Sequence, residues 1–251
     1  MSVYGHLQRS LVLLISTGAF AAGELDVRIT PSNSALKANI EGYVGSLDGR
    51  DAQSLRRLRR IAEGEADKAA QALGYYQARI RSRIEEGETP RLVLEVEPGE
   101  RVRLRHVDIR IEGPASELPA FRIPNASRLQ PGSVLNHGRY EDAKRLIQNQ
   151  ASRYGFFDGR FTRQSLQVDP AAGVADIELV FASGPRYNLG DLSFSGDFPF
   201  DDDLLRRMVP FEPDTPYDSE LIAELYQALQ SSGYFESVRV DAIPTQADQL
   251  R

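Results

Sequence analysis

The sequence predicts an α+β fold made of three tandem copies of one small unit, a mixed sheet with two helices on one face. A Gly-aromatic-aromatic triplet occurs at Gly74-Tyr75-Tyr76, Gly155-Phe156-Phe157 and Gly233-Tyr234-Phe235, so by subtraction the triplets are 81 and 78 residues apart. At each triplet the apolar residues change from a helical spacing to a strand-like alternation. Similarity at a fixed interval is typical of repeated structural units.

A long helix is predicted before each triplet, and a shorter helical segment lies upstream of it. Apolar residues recur there every three or four positions, which places them on one helix face against a core. The glycine of each triplet follows the last turn, where a left-handed residue ends a helix at low cost. The apolar positions are Leu55, Leu58, Ala62, Ala66, Ala69 and Leu73, then Tyr140, Ala143, Ile147, Ala151 and Tyr154, and finally Ile222, Leu225 and Leu229.

Strands are predicted after each triplet, because the apolar period there becomes two. The first unit has such a strand at 78–84 and a second at 91–99, and the second unit has a clear one at 174–184. The two aromatic residues of each triplet enter the strand, so we expect their role to be structural. In the third unit, alternation over 238–242 predicts one strand and no closing strand follows. We therefore expect the third unit to be incomplete and the chain to be a fragment.

The first 21 residues predict a secretory signal peptide. Arg9 precedes an apolar run that is too short to span a bilayer, and small residues at Ala19 and Ala21 have the spacing that signal peptidase recognises. A buried N-terminal helix is the alternative. We expect the mature chain to begin near Ala22.

Composition argues against several functions. The net charge of −6 disfavours nucleic acid as the main partner, since phosphate binding needs a basic face. The absence of cysteine excludes thiol catalysis. The three histidines, His6, His106 and His137, are scattered without the spacing of metal ligands, and no catalytic or nucleotide-binding motif occurs. We therefore expect neither an enzyme nor a cofactor or metal.

Four arginines, Arg56, Arg57, Arg59 and Arg60, lie close together on the first long helix. One interpretation is a surface for anionic lipid or nucleic acid. The other is a solvated helix face, in which Glu63 pairs with Arg59 four residues before it.

The repeated strand-helix-helix-strand-strand unit resembles the POTRA domain, the polypeptide-transport-associated module. Under this resemblance, residues 1–21 are a signal peptide, and the three modules occupy residues 22–98, 99–184 and 185–251. The segments that carry the resemblance are QALGYYQ (71–77), VLNHGRYEDAKRL (134–146), YGFFDGRFT (154–162), SGPRYNLGDLSFSG (183–196) and the stretch from 208 to 235.

Three such modules are similar to those of the TamA family, the outer-membrane barrel subunits of the translocation and assembly module. The resemblance implies a periplasmic array tethered to the outer membrane by its own C-terminal barrel, which is absent from this chain. It also implies docking to a TamB-like inner-membrane-anchored protein and help in inserting outer-membrane proteins such as autotransporters. The alternatives are the periplasmic arm of a BamA-like or two-partner secretion transporter that binds its client directly, and a free-standing periplasmic chaperone.

The same resemblance implies that the strand after the first triplet lies at a sheet edge, where the backbone of another chain can pair with it. Arginines at positions 79, 81 and 83 of this strand have two interpretations. They discourage edge-to-edge aggregation, or they guide an acidic or extended partner strand. The candidate partner-binding residues are Tyr76, Ala78, Arg79, Ile80, Arg81 and Arg83.

Overall fold

The structure is a computed structural model that describes residues 23–122, 129–196, 201–246 and 249–250. The predicted signal peptide lies outside the described residues. The chain divides into two compact units. The described part of the first unit comprises residues 23–69 and 79–98. The second unit comprises Ala70–Ala78 and Gly99–Arg251, so the segment after the first long helix belongs with the second unit.

The first unit contains one three-stranded mixed sheet in the order β1-β3-β2. The last strand along the chain, β3, lies in the centre, parallel to β1 and antiparallel to β2. The parallel pairing requires a crossover, which the two helices provide. The elements are β1 (Glu24–Ile29), α1 (Ser34–Val44), α2 (Ala52–Ala72), β2 (Arg79–Glu85) and β3 (Arg91–Glu97).

Local signals in the sequence explain where the first helices begin. The Asn33 side chain accepts a hydrogen bond from the Leu36 backbone N–H at 3.0 Å, which caps α1. Asp51 caps α2 in the same way through the N–H of Ser54. Both helices bury one apolar face, and the central strand β3 buries nearly all of its apolar residues. The buried residues are Leu36, Ile40, Leu55, Ala62, Ala66, Ala69, Leu92, Val93, Leu94 and Val96.

The second unit begins with a sheet of the same topology, in the order β4-β6-β5. Its central strand β6 buries Ile177, Leu179 and Phe181, as the alternation predicts. In place of the predicted short helix, the described residues contain one 3₁₀ turn, Pro114–Glu117. The other elements are β4 (Arg103–Glu112), α3 (His137–Arg153), β5 (Arg160–Asp169) and β6 (Val174–Ala182).

A third sheet follows in the second unit, in the order β7-β9-β8, and its strands are only two or three residues long. Residues 238–242, predicted as a strand, have no strand pairing. The closing strand, expected to be absent, is present as the two-residue β9. The elements are β7 (Asn188–Leu189), α4 (Asp202–Arg206), α5 (Ser219–Ser231), β8 (Pro244–Gln246) and β9 (Gln249–Leu250).

These features confirm the α+β class with small mixed sheets and helices. The helical spacing also identified buried positions correctly: Tyr140, Ala143, Ile147 and Ala151 of α3 and Leu225 and Leu229 of α5 are buried, whereas Tyr154 and Ile222 are only partly buried. Within the described ranges, no helix has both the length and the apolarity that a membrane span requires.

The short strands of the third sheet lead to a prediction about local stability. We expect backbone amides in 187–196 and 201–242 to exchange with solvent faster than those in 103–122 and 129–182. The reason is that β7 and β9 share only two residue pairs, whereas β4 and β6 pair over nine or more residues each. Hydrogen–deuterium exchange with mass spectrometry would measure this, and equal protection of the two segments would contradict it.

Candidate functional site

The strand β2 forms one edge of the first sheet. It pairs only with β3, in a register that runs from Arg79 opposite Glu97 to Glu85 opposite Arg91. No described strand pairs along its outer side. The outer N–H and C=O groups of β2 are therefore open to pairing with another extended chain.

The edge strand begins later in the chain than the sequence suggests. β2 begins at Arg79, so Tyr76 and Ala78 precede it. Both residues belong to the second unit, whereas Arg79, Ile80 and the rest of β2 belong to the first. Of the six candidate residues, Arg79, Ile80, Arg81 and Arg83 lie on the edge strand.

The three arginines of β2 share the face of the sheet that the helices leave open. Arg79 and Arg81 stand opposite Glu97 and Glu95 on β3. Arg83 makes ion pairs with Glu95, at 3.2 Å, and with Glu85. Exposed pairs of this kind contribute about 0–1 kcal/mol each, so they do little to stabilise the sheet. The alternation of charge nevertheless makes this face soluble while the backbone edge stays open.

The other face of β2 packs towards the helices. Ile80 and Ile84 are half-buried there, opposite Val96 and Leu92. Between them, the Ser82 hydroxyl donates a hydrogen bond to the Glu63 carboxylate of α2. This contact removes Glu63 from the ion pair with Arg59 that the sequence suggests.

Tyr76 has a different role from an edge residue. Its hydroxyl lies 2.6 Å from Nε2 of His137, the first residue of α3. A neutral imidazole with its proton on Nδ1 accepts the hydrogen bond from the tyrosine. Burial lowers the pKa of His137 below its ordinary value of 6.5, although the nearby Glu141 opposes this. The positive end of the α3 dipole also disfavours the imidazolium ion.

The turn at Gly74 is held by contacts within the second unit. The Gly74 carbonyl accepts a hydrogen bond from the Val102 N–H at 2.9 Å. A side chain at Gly74, where φ is 90°, would begin 2.6 Å from the Leu135 carbonyl oxygen. Arg101 donates to the Leu73 carbonyl at 2.8 Å and lies over the Tyr75 ring. Only glycine combines this backbone conformation with this close approach.

The turn at Gly155 repeats the same arrangement one module later. Its carbonyl accepts from the Tyr187 N–H at 2.8 Å, and a Cβ would lie 2.8 Å from the Cβ of Tyr217. Arg186 donates to the carbonyls of Tyr154 and Tyr217, both at 3.0 Å. The triplet therefore provides a turn that packs against the residues opening the next repeat.

The aromatic residues of the second triplet divide between two environments. Phe156 is buried in the module core and meets Phe121 edge-on. Phe157 is partly exposed and packs edge-on against Tyr187 and Tyr217, with ring centroids 5.5 and 5.0 Å away. The second aromatic residue is thus a contact to the next repeat and not a strand residue.

Sequence reasoning missed the residues that receive each turn. Arg101 and Arg186 each follow a glycine by two positions, in Gly99-Glu100-Arg101 and Gly184-Pro185-Arg186. This repeated Gly-x-Arg could have indicated an arginine with the same role in both modules. Among the described residues, no group of three or more His, Asp or Glu side chains could hold a metal ion.

Comparison with known sequences identifies two matching family profiles. The profile described as POTRA domain TamA domain 1 matches residues 26–98. The POTRA profile, described as surface antigen variable number repeat, matches residues 106–182 and 187–250. The POTRA profile alone thus accounts for more than half of the chain.

A curated relative is the outer membrane protein assembly factor BamA of Neisseria meningitidis serogroup B, 23% identical over 144 residues. The match covers 57% of this chain and 18% of the relative, so the chain spans less than a fifth of that protein. Among solved structures, POTRA3-5 of Haemophilus influenzae BamA is similar with a TM-score of 0.48 and 20% identity, covering 92% of this chain and 93% of that chain. POTRA1-3 of Omp85 from Anabaena has a TM-score of 0.34 and 18% identity, covering 91% of each chain.

The close approach at Gly155 can be tested by substitution. We expect Gly155→Ala to lower the free energy of unfolding of the second unit by about 2–4 kcal/mol, because strain at a positive φ adds to the collision with Tyr217. Chemical denaturation would measure the change. The control is Gly173→Ala, which has φ of 67° but no atom within 4 Å of the new methyl group. The control substitution should lower the free energy of unfolding by about 1 kcal/mol. Equal losses in the Gly155 and Gly173 variants would contradict the role assigned to the close approach.

The environment of His137 predicts a dependence of stability on pH. In the folded protein burial lowers the pKa of His137, whereas in the unfolded chain it has its ordinary value near 6.5. Its contribution to stability is therefore complete above about pH 6.5 and is lost as the pH falls below that value towards the lowered pKa. We expect the free energy of unfolding to fall less for His137→Gln than for the wild type between about pH 7.5 and about pH 5.5. Identical losses in urea titrations of both proteins would contradict this.

Proposed function

Because the chain belongs to the POTRA family, we propose that it is the periplasmic array of an outer-membrane protein assembly or translocation factor of the Omp85 type, and specifically of the TamA kind. The three-module organisation and the match of residues 26–98 to the TamA profile support this choice. The array is tethered to the outer membrane by a C-terminal barrel. It docks a TamB-like inner-membrane-anchored protein and assists the insertion of outer-membrane proteins such as autotransporters. The proposal includes no catalytic activity.

The observation that carries the proposal is the open edge of β2. All seven residues from Arg79 to Glu85 pair with β3 on one side and with no described strand on the other. The strand in the same position of the next module, β5, is also at an edge and runs for ten residues. An array of such edges suits partners that arrive as extended chains.

Pairing at this edge works mainly through the backbone. An added strand forms main-chain hydrogen bonds that do not depend on its sequence, and this tolerance suits a factor with several clients. Side chains on the two faces of the extended sheet then determine which residues are favoured in the added strand. On the open face, Arg79 and Arg81 favour acidic residues in the added strand. On the helix face, Ile80 and Ile84 favour apolar ones.

A second candidate is the periplasmic arm of a BamA-like transporter that binds its client directly. The similarity of 144 residues to BamA of Neisseria meningitidis supports it. The two candidates use the same edge but differ in what occupies it. In the first, the occupant is the TamB-like partner, and in the second it is the client.

Proline substitution tests the edge directly. Adjacent residues of a strand point their N–H groups to opposite sides, so of Arg81→Pro and Ser82→Pro one removes an inner donor and the other an outer donor. The variant that keeps the melting temperature of the wild type has lost the outer donor. In the full-length protein, we expect that variant to co-purify with much less of the TamB-like partner, because the added strand loses a hydrogen bond and meets the proline ring.

The control for this experiment is Arg81→Gln, which changes the charge but keeps the backbone donor. It should retain most of the binding. If the stable proline variant binds the TamB-like partner as the wild type does, the edge of the first module is not the docking site. Loss of client binding with unchanged TamB binding would favour the second candidate.

A further inference from the structure

The first half of α2 carries a group of exposed cations on an otherwise acidic chain. Arg56, Arg57 and Arg60 lie on one side of the helix with Ile61, and Arg59 lies on its flank. We call Arg56, Arg57, Arg60 and Ile61 the α2 patch. This patch is on a different element from the β2 edge.

The arginines of the α2 patch have few acidic partners within the protein. The carboxylate of Asp51, which caps α2, acts on Arg57 and Arg56 through its charge. Arg56 pairs with Glu86. In the part of the chain that the structure describes, no carboxylate oxygen lies within 4.0 Å of the guanidinium groups of Arg57 and Arg60. The acidic residues that follow along α2 are engaged elsewhere, since Glu63 accepts from Ser82 and Glu65 pairs with Lys68.

The spacing of these arginines lowers the stability of the helix that carries them. Arg56 and Arg60 are four residues apart and Arg57 and Arg60 are three apart, so like charges are neighbours on the helix surface. A bound anion would relieve this repulsion. The arrangement is therefore better suited to a complex than to the free protein.

An exposed apolar residue completes the patch. Ile61 is 61% exposed, more than any other large apolar residue described. Gly64, three residues later, has no atom within 4 Å of its Cβ position, which leaves space beside the isoleucine. A ligand for this surface needs carboxylates for two guanidinium groups and an apolar side chain for Ile61.

A membrane fits this surface less well than a protein does. A helix that binds at a lipid interface inserts its apolar face, but the apolar face of α2 is already buried in the core through Leu55, Ala62 and Ala66. One isoleucine remains on the exposed side.

We propose that the α2 patch is a second docking surface that binds an acidic polypeptide segment carrying an apolar residue. Carboxylates of the segment bind Arg57 and Arg60, and its apolar side chain packs on Ile61. Arg56 adds a further cation when it exchanges Glu86 for the ligand. This inference goes beyond the proposed function and does not depend on pairing at the β2 edge.

The test uses two short synthetic peptides and the full chain. One peptide is rich in glutamate with interspersed leucines, and the other has glutamine in place of every glutamate. We expect the acidic peptide to bind the wild type at least about tenfold more tightly than it binds Arg57→Gln/Arg60→Gln, since two charge-assisted hydrogen-bond sites are lost. Ile61→Ser should weaken binding by about threefold to tenfold. Fluorescence anisotropy at about 50 mM and about 300 mM salt measures both effects, and the higher salt should weaken binding.

The matched control is Arg139→Gln/Arg206→Gln, which removes the same charge from two exposed arginines of other helices. It should bind the acidic peptide as the wild type does. The patch variant should melt at the same temperature as the wild type or higher, because like-charge neighbours are removed. This measurement separates a lost surface from a lost fold.

Three outcomes would overturn the proposal. One is equal binding of the acidic and glutamine peptides, and another is an equal loss of affinity in the patch variant and the control variant. The third is arginine-dependent flotation of the protein with vesicles of phosphatidylcholine and about one quarter phosphatidylglycerol, without discrimination between the peptides. The third would assign the patch to the membrane. Loss of TamB binding in the proline variant of β2 would have no bearing on whether the α2 patch binds the acidic peptide.

Discussion

The last strand of each module lies between the first two, and the rest of the structure depends on this order. β3 and β6 occupy the centres of their sheets, with a parallel neighbour on one side and an antiparallel neighbour on the other. The parallel neighbour requires a crossover, so two helical segments must cover one face. The central position of the last strand also leaves the strand before it at an edge. A topology that completes the core thus leaves an open sheet edge.

The third module shows that side-chain pattern and backbone pairing are separate requirements. Residues 238–242 show the expected alternation of apolar and polar side chains, and Val238 and Val240 pack on the module core. These residues pair with no described strand. A strand needs a partner for its backbone as well as a suitable sequence.

Much of the fold could be predicted from periodicity, because burial of one helix face or one strand face leaves a pattern in a single stretch of sequence. The buried positions of α3 and the alternation of β6 were found in this way. Contacts across the fold leave no such pattern. Nothing near Tyr76 in sequence indicates His137, and nothing near Glu63 indicates that Ser82 displaces Arg59 as its partner. The start of the candidate edge strand was misplaced for this reason, since Tyr76 and Ala78 continue the alternation of β2 but lie before it.

The turn that ends each long helix contacts a Gly-x-Arg segment of the following repeat. This arrangement bears on how such arrays gain or lose repeats. Turn and receiving segment lie on successive repeats, as Gly74 with Arg101 and Gly155 with Arg186 illustrate. A gene duplication of one repeat would therefore supply a receiving segment for the repeat before it and a turn for the repeat after it. The backbone part of each new joint, which is the turn and the Gly-x-Arg segment, would need no new residues. The side chains would have to adapt, because Tyr76 meets His137 at one joint whereas Phe157 meets Tyr187 and Tyr217 at the other.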